Sequence, residues 1–136
     1  MSPHRLAIRV YYEDTDFSGL VYHASHLRFM ERGRTELLRE LGLTQRALVE
    51  QGALFFVVRA MEIDFRKPAL MDDLLTVETA VVALGGASIE MEQKILREAE
   101  RLVSARVTVA GVEAGRAKRL PAEIRQKFEK ILAAKP

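Results

Sequence analysis

The amino-acid sequence predicts an α+β fold in which one long helix packs on one antiparallel sheet. Three observations carry that expectation. Apolar residues recur at three- and four-residue steps through residues 25–41, a helical period. About five other stretches alternate with period two or are rich in β-branched and aromatic residues. The last four of them follow one another through short turn signals, which suits hairpins and not long crossovers. The chain of 136 residues is long enough for one core, and residues 1–136 are expected to form a single domain.

The elements follow in order. Leu6, Ile8 and Val10 alternate with Arg5, Arg9 and Tyr11, so the chain opens with a strand. Acids, Thr15, Ser18 and Gly19 break the alternation over residues 13–19 and make a loop. The long helix comes next, with Ser25 as N-cap because its hydroxyl can accept from an orphan amide of the first turn. Leu27, Met30, Leu37, Leu38 and Leu41 form its apolar stripe, with Arg34 inside it. Gly33 costs about 1 kcal/mol against Ala in a helix interior, which implies close approach of another backbone. Gly42 stands where a helix end favours a left-handed residue, and Thr44 then caps a short second helix.

From Phe55 to Phe65 the period changes to that of a strand, which Pro68 ends. Residues 74–84 make a second, Gly85 and Gly86 a turn, and residues 88–96 a third on the alternation of Ile89, Met91, Gln93 and Ile95. Residues 97–101 turn the chain into a last strand over residues 102–112. Pro121 opens a final amphipathic helix carrying Ile124, Phe128, Ile131 and Leu132. One sheet face covers the helix. Its far face and edges need a partner, which predicts an oligomer that continues the sheet.

Composition excludes several functions. Hydrophobic residues are 49% and charged residues 29%, a globular mixture. The net charge is +2, with basic residues interleaved among acids, so no phosphate-tracking stripe for nucleic acid is expected despite a pI of 9.1. There is no Cys, which removes disulfides, thiolate nucleophiles and Cys-based zinc sites and fits a reducing compartment. No run approaches the ~20 apolar residues of a membrane helix, and the N-terminus alternates instead of forming a signal-peptide block. A cytoplasmic protein without a transmembrane segment is expected. The three His lack the two-His-plus-carboxylate helical spacing of a metal site, so no metal is expected. No Gly-rich phosphate loop precedes a helix, which argues against nucleotide hydrolysis.

The chemistry concentrates in residues 11–23, Tyr-Tyr-Glu-Asp-Thr-Asp-Phe-Ser-Gly-Leu-Val-Tyr-His. Three acids, three tyrosines and a His lie in a loop that leads to a helix N-terminus. An acid there can act as base or nucleophile, and a backbone N–H there can hold a developing oxyanion. By composition alone these residues could equally cap turns and close a strand end.

Their order resembles the signature of the hotdog-fold acyl-CoA thioesterases of the 4-hydroxybenzoyl-CoA thioesterase superfamily, in particular the YbgC branch associated with the Tol–Pal cell-envelope system. The matching residues are 11–16, Val21-Tyr22-His23, Glu31-Arg32, Arg34-Thr35-Glu36, Phe56-Val57-Val58-Arg59, Lys67-Pro68-Ala69 with Asp72 or Asp73, and Arg119-Leu120-Pro121. The resemblance covers nearly the whole chain. It implies a hotdog fold, a long central helix wrapped by about five antiparallel strands, with the sheet continued across a homodimer or a dimer of dimers.

The resemblance also implies roles. Asp16 matches the catalytic carboxylate, general base or nucleophile toward the thioester carbonyl. His23 matches a His whose backbone N–H polarises that carbonyl and whose ring orients Asp16 or relays a proton. Tyr12 matches a Tyr that positions acid or water. Glu13 and Asp14 are expected to pair or cap, Glu31 to pair with Arg34 or Arg28, and His4 and His26 to face solvent. Phe17 and Leu20 replace smaller residues and are expected to narrow or line the acyl pocket, and Ser25-His26 stands where the family commonly has Asn-Tyr. Ser88 matches a Ser that contacts coenzyme A in aromatic-specific relatives. The basic positions before it are Gly85 and Gly86 here, so Arg116, Lys118 and Arg119, with Lys67, are the expected phosphate contacts.

The expected reaction is hydrolysis of a short-chain, long-chain or aromatic acyl-CoA to free acid and CoA, with no cofactor beyond the substrate. A hydratase on the same fold is the nearer rival, and the Asp-Thr-Asp loop argues against it. The other is a non-catalytic acyl-binding or scaffold protein of the Tol–Pal system. The resemblance leaves room for a cell-envelope or acyl-carrier partner.

Overall fold

In the computed structural model, residues 3–52 and 54–133 are described. Strand β1 (His4–Arg9) leads through a 3-10 turn (Tyr12–Asp14) to helix α1 (His23–Glu40) and helix α2 (Gln45–Gly52). Strands β2 (Phe55–Phe65), β3 (Leu74–Leu84), β4 (Ser88–Arg97), β5 (Glu100–Glu113) and β6 (Arg116–Ala117) follow, and helix α3 (Ala122–Ala133) closes the chain. The sheet runs β1-β3-β4-β5-β2, with β6 on β5, and every pairing is antiparallel.

Helix α1 lies on the sheet through Phe29, Met30, Leu37 and Leu38, which meet Leu75, Val77, Ile89, Met91 and Ile95 in one buried core. Each fully buried side chain of this size contributes about 1.5–3 kcal/mol. Gln93 lies in the same core at 1% exposure. Its amide donates to the Met30 carbonyl and to Thr79 Oγ1, both at 2.9 Å, and its Oε1 accepts from Arg34 Nη1 at 3.0 Å. Three elements are thereby tied through one buried amide whose polar atoms are satisfied.

Gly33 sits where α1 comes nearest the sheet. A Cβ there would stand 2.7 Å from Val77 Cγ1 and 2.9 Å from Thr79 Oγ1, so the close approach is to side chains and not, as expected, to a backbone. Gly42 takes φ +80° after α1, and Lys127 from α3 donates to the Leu41 carbonyl at 2.8 Å. The Ala47 amide donates to Thr44 Oγ1 at 3.2 Å, the expected cap of α2.

Three boundaries differ from expectation. Helix α1 begins at His23, with Tyr22 and not Ser25 at the N-cap. The Tyr22 amide donates to the Asp14 carbonyl at 3.0 Å and the Val21 amide to the Ala69 carbonyl at 2.9 Å, so the chain is turned into the helix earlier. Ser25 is buried inside the first turn, and its hydroxyl accepts from Arg28 at 2.8 Å. The β4–β5 turn shortens because Arg97 pairs with Glu100, leaving a tight hairpin with Glu98 at φ +55°. Arg116 and Ala117 form a short strand where none is expected, against Val112 and Glu113.

Strands β1 and β2 are the sheet edges. Along β2, Phe55, Val57, Val58 and Phe65 are exposed.

Candidate active site

The acidic segment leaves β1 and folds on itself. Asp14 is buried, and its carboxylate accepts from the Tyr11 amide at 2.8 Å, so it caps the 3-10 turn. Thr15 pairs with Val21 in an isolated bridge, and the turn between them closes through Asp16 N–H to the Leu20 carbonyl at 3.0 Å. Gly19 takes φ +84° there, a conformation that favours glycine.

Asp16 is exposed on this turn. Its Oδ1 accepts from the Ser18 amide at 2.8 Å and from the Ser18 hydroxyl. Those two bonds, hydroxyl first, hold its carboxyl below the usual carboxylate range, and the nearby His23 adds to the effect. Asp16 is therefore ionised at neutral pH. His23 opens α1, its ring edge-on to Phe65 at 4.7 Å. The structure thus brings Asp16 and His23 together at the helix N-terminus. Tyr12 is 81% exposed; its carbonyl accepts from Thr15 Oγ1 at 2.7 Å. Phe17 is fully exposed and packs against no pocket of its own chain.

His26 departs from the expectation of a solvent residue. It is buried, against Phe29 and Phe65, because it lies three and four residues before Phe29 and Met30, on the face of α1 that meets the sheet. Burial, then the charge of His23, lowers its pKa to about 4, so it is neutral. His4 is also largely enclosed, with Nε2 3.7 Å from Glu40 of α1. Glu31 lies close enough to Arg34 to favour its charge.

A second loop, residues 66–73, braces the acidic one. Leu20 pairs with Leu70, the Met71 amide donates to the Gly19 carbonyl at 3.3 Å, and Arg97 ties the loop to the sheet through Asp73 at 2.8 Å. Lys67 is ion-paired with Glu100 at the same end.

The other expected coenzyme A contacts lie elsewhere. Ser88 starts β4, and the Gly85 amide donates to its carbonyl at 2.9 Å. The Arg119 guanidinium lies against Gly86, and the Leu120 amide donates to the Gly86 carbonyl at 3.1 Å. Ser88 and Arg119 therefore share the β3–β4 turn. Arg116 lies exposed on β6, and Lys118 pairs with Glu113 at 3.3 Å. Arg125 was not singled out from the sequence, yet its guanidinium donates to the Gly85 carbonyl at 2.7 Å. Its place in the first turn after Pro121 was the available signal. Ser88 pairs with Ala110 and Arg97 with Glu100, so these two ends of the sheet are ~30 Å apart along the strands. Within one chain, Asp16 and Lys67 stand at one end and Ser88 and Arg119 at the other. Among the described residues no group of three His, Asp or Glu gathers to hold a metal.

This architecture and motif match known proteins. Residues 10–132 match the family model of the thioesterase-like superfamily. The chain belongs to that superfamily. The thioesterase-like chain is 47% identical over 126 residues to the acyl-CoA thioesterase YbgC of Haemophilus influenzae, covering 91% of this chain and 93% of that one. Among solved structures it is similar to a probable thioesterase of Bartonella henselae, with a TM-score of 0.85, 48% identity and coverage of 88% and 100% of the two chains. A thioesterase of Thermus thermophilus complexed with coenzyme A and zinc aligns at a TM-score of 0.84 with 28% identity, covering 98% of each chain. The hotdog sheet and central helix expected from the sequence are thus the fold of this superfamily member.

Proposed function

We propose that this thioesterase-like chain hydrolyses acyl-CoA thioesters to a free acid and CoA, with Asp16 carrying the chemistry. One observation carries the reading: an ionised carboxylate, fixed by Ser18, stands beside the N-terminus of α1. The carboxylate activates a water or attacks the thioester carbonyl itself. Either route builds an oxyanion. The first amides of a helix have no intrahelical acceptor and sit at the positive end of its dipole, so the start of α1 suits that charge. Collapse of the adduct expels the CoA thiolate, which takes up a proton; on the nucleophilic route water then hydrolyses the acyl–Asp16 anhydride, releasing the free acid and restoring the carboxylate. The His23 amide belongs to this first turn, its ring stands by to orient Asp16 or move a proton, and Tyr12 lies on the same loop.

Two copies complete the site in this reading. The free, apolar edge of β2 pairs with its own copy antiparallel, which sets the Phe65 end of one chain beside the Phe55 end of the other. Asp16 and Lys67 of one copy then approach Ser88 and Arg119 of the second. Arg119 and Arg116, with Lys118, suit the phosphates of coenzyme A. Arg125 holds the turn that presents Ser88. Phe17, exposed in the single chain, lies where a second copy or an acyl group would cover it.

We take residues 1–136 as one domain acting in the cytoplasm, where acyl-CoA esters are at hand. No helix among the described residues is long and apolar enough to cross a membrane. The test is release of free thiol from short-chain, long-chain and aromatic acyl-CoA esters by wild type beside Asp16→Asn. Release that depends on Asp16 is expected. A folded wild type that cleaves none of them would overturn the reading in favour of an acyl-binding or scaffold protein of the cell envelope.

A further inference from the structure

A cavity of about 210 Å³ lies between α1 and strands β2, β4 and β5. Leu38, Phe56, Ile89 and Met91 give it apolar walls, while Glu31 and Arg34 bring a carboxylate and a guanidinium to it. Arg34 comes from the face of α1 that meets the sheet and is partly buried. Its hydrogen bond to Gln93 is the one it makes among the described contacts. Gln93 is itself immobilised by Met30 and Thr79, so the guanidinium is held at one corner with most of its five N–H donors unspent.

Glu31 is close enough to favour the charge on Arg34, against the cost of burial. Yet the two do not close to an ion pair within 4.0 Å among the described residues. A donor and an acceptor therefore face one cavity without satisfying each other. A hydroxyl is their complement, since it accepts from the guanidinium and donates to the carboxylate. A ligand carboxylate would gain Arg34 but meet the charge of Glu31, and a methyl would displace water from the partly buried guanidinium and give it no acceptor in return.

We propose that this cavity receives the distal end of the acyl group, and that Arg34 with Glu31 selects acyl chains ending in a hydroxyl. The proposal rests on the acyl-CoA hydrolase reading. Glu31 stands eight residues beyond His23, ~12 Å along the helix axis, so the cavity lies an acyl chain's length from a carbonyl held at the start of α1. Its apolar walls suit methylenes and not the phosphates of coenzyme A.

The experiment compares kcat/KM for straight-chain CoA esters from butanoyl to decanoyl with their ω-hydroxy and ω-carboxy counterparts. Wild type is expected to favour the ω-hydroxy ester over the ω-methyl ester by about tenfold or more at the length that fits. Arg34→Met is expected to bring that ratio near one. Glu31→Ala, at an exposed helix position, removes the acceptor of the pair and should lower the ratio too, which keeps the test open if the methionine variant fails to fold. A wild-type ratio near one at every length, an ω-carboxy ester ranked first, or a ratio kept by a folded Arg34→Met or Glu31→Ala variant each overturns the selection while leaving the hydrolase reading intact. No turnover of any ester removes both.

Discussion

Arg97 donates through Nη1 to Asp73 Oδ2 at 2.8 Å, and the same carboxylate oxygen accepts the Leu70 amide at 2.9 Å. One carboxylate thus ties the end of β4 to the loop that pairs with the acidic loop. Hydrogen bonds to Asp73 and Glu100 raise the Arg97 pKa, so the cation persists at any working pH. Asp16 is four residues from Leu20, whose partner is Leu70. Arg97 is therefore a positioning residue for Asp16 at two removes.

Arg97→Gln is expected to lower kcat by about tenfold with little change in KM, because misplacing a reacting group costs rate before affinity. Arg97→Lys should restore part of it. Steady-state kinetics of both variants decide the point. Equal loss in kcat and KM with no rescue would show that the residue only stabilises the fold.

With Asp16 as the proposed base or nucleophile, the acid limb of the pH profile is expected to follow its carboxyl. Its folded pKa is depressed, so the carboxylate is ionised above that value and activity falls only as pH drops through it. Ser18→Ala removes the largest cause of the depression, the hydroxyl bond, and leaves the backbone one. The acid limb of kcat/KM should then move to higher pH. A limb that stays in place would mean that another group sets it.

Gly33→Ala separates helix propensity from packing. Alanine would gain about 1 kcal/mol as a helix residue. Its methyl would press on Val77 and Thr79 at under 3.0 Å, beside the immobilised Gln93. Overpacking of this kind costs about 1–3 kcal/mol, so net destabilisation is expected in urea unfolding. A variant more stable than wild type would show that the sheet yields freely under α1.

Much of this was legible because local signals coincided with the fold. The alternation around Ile89, Met91 and Ile95 marks β4, Gly42 ends α1 and Thr44 caps α2. The start of α1 was not legible, because what fixes it is remote in sequence: Asp14 and Ala69 take the Tyr22 and Val21 amides. His26 was missed for another reason: a polar side chain reads as solvent-facing, although its spacing to Phe29 and Met30 puts it on the buried stripe. The ordered motif singled out Asp16, His23 and Ser88 as candidates. It could not show that Asp16 and Ser88 stand at opposite ends of one sheet, because distance is set by register. Arg125 escaped notice for a related reason: its partner is the backbone of Gly85, forty residues away.

His26 gives stability its own pH dependence. Burial and the charge of His23 lower its folded pKa to about 4, below the usual 6.5 for an unfolded chain. Between those values the unfolded chain binds the proton that the folded chain refuses. Stability is therefore full above pH 6.5 and falls as pH drops toward 4, by about 3 kcal/mol if the whole shift is felt. The neighbours that matter are His23 on the same helix and the rings of Phe29 and Phe65, which offer no counter-charge. His26→Phe should remove this loss and flatten urea midpoints measured between pH 7 and 4.5, a slope about that of other titrating groups remaining. A variant whose midpoint falls as steeply as wild type would assign the dependence to another group.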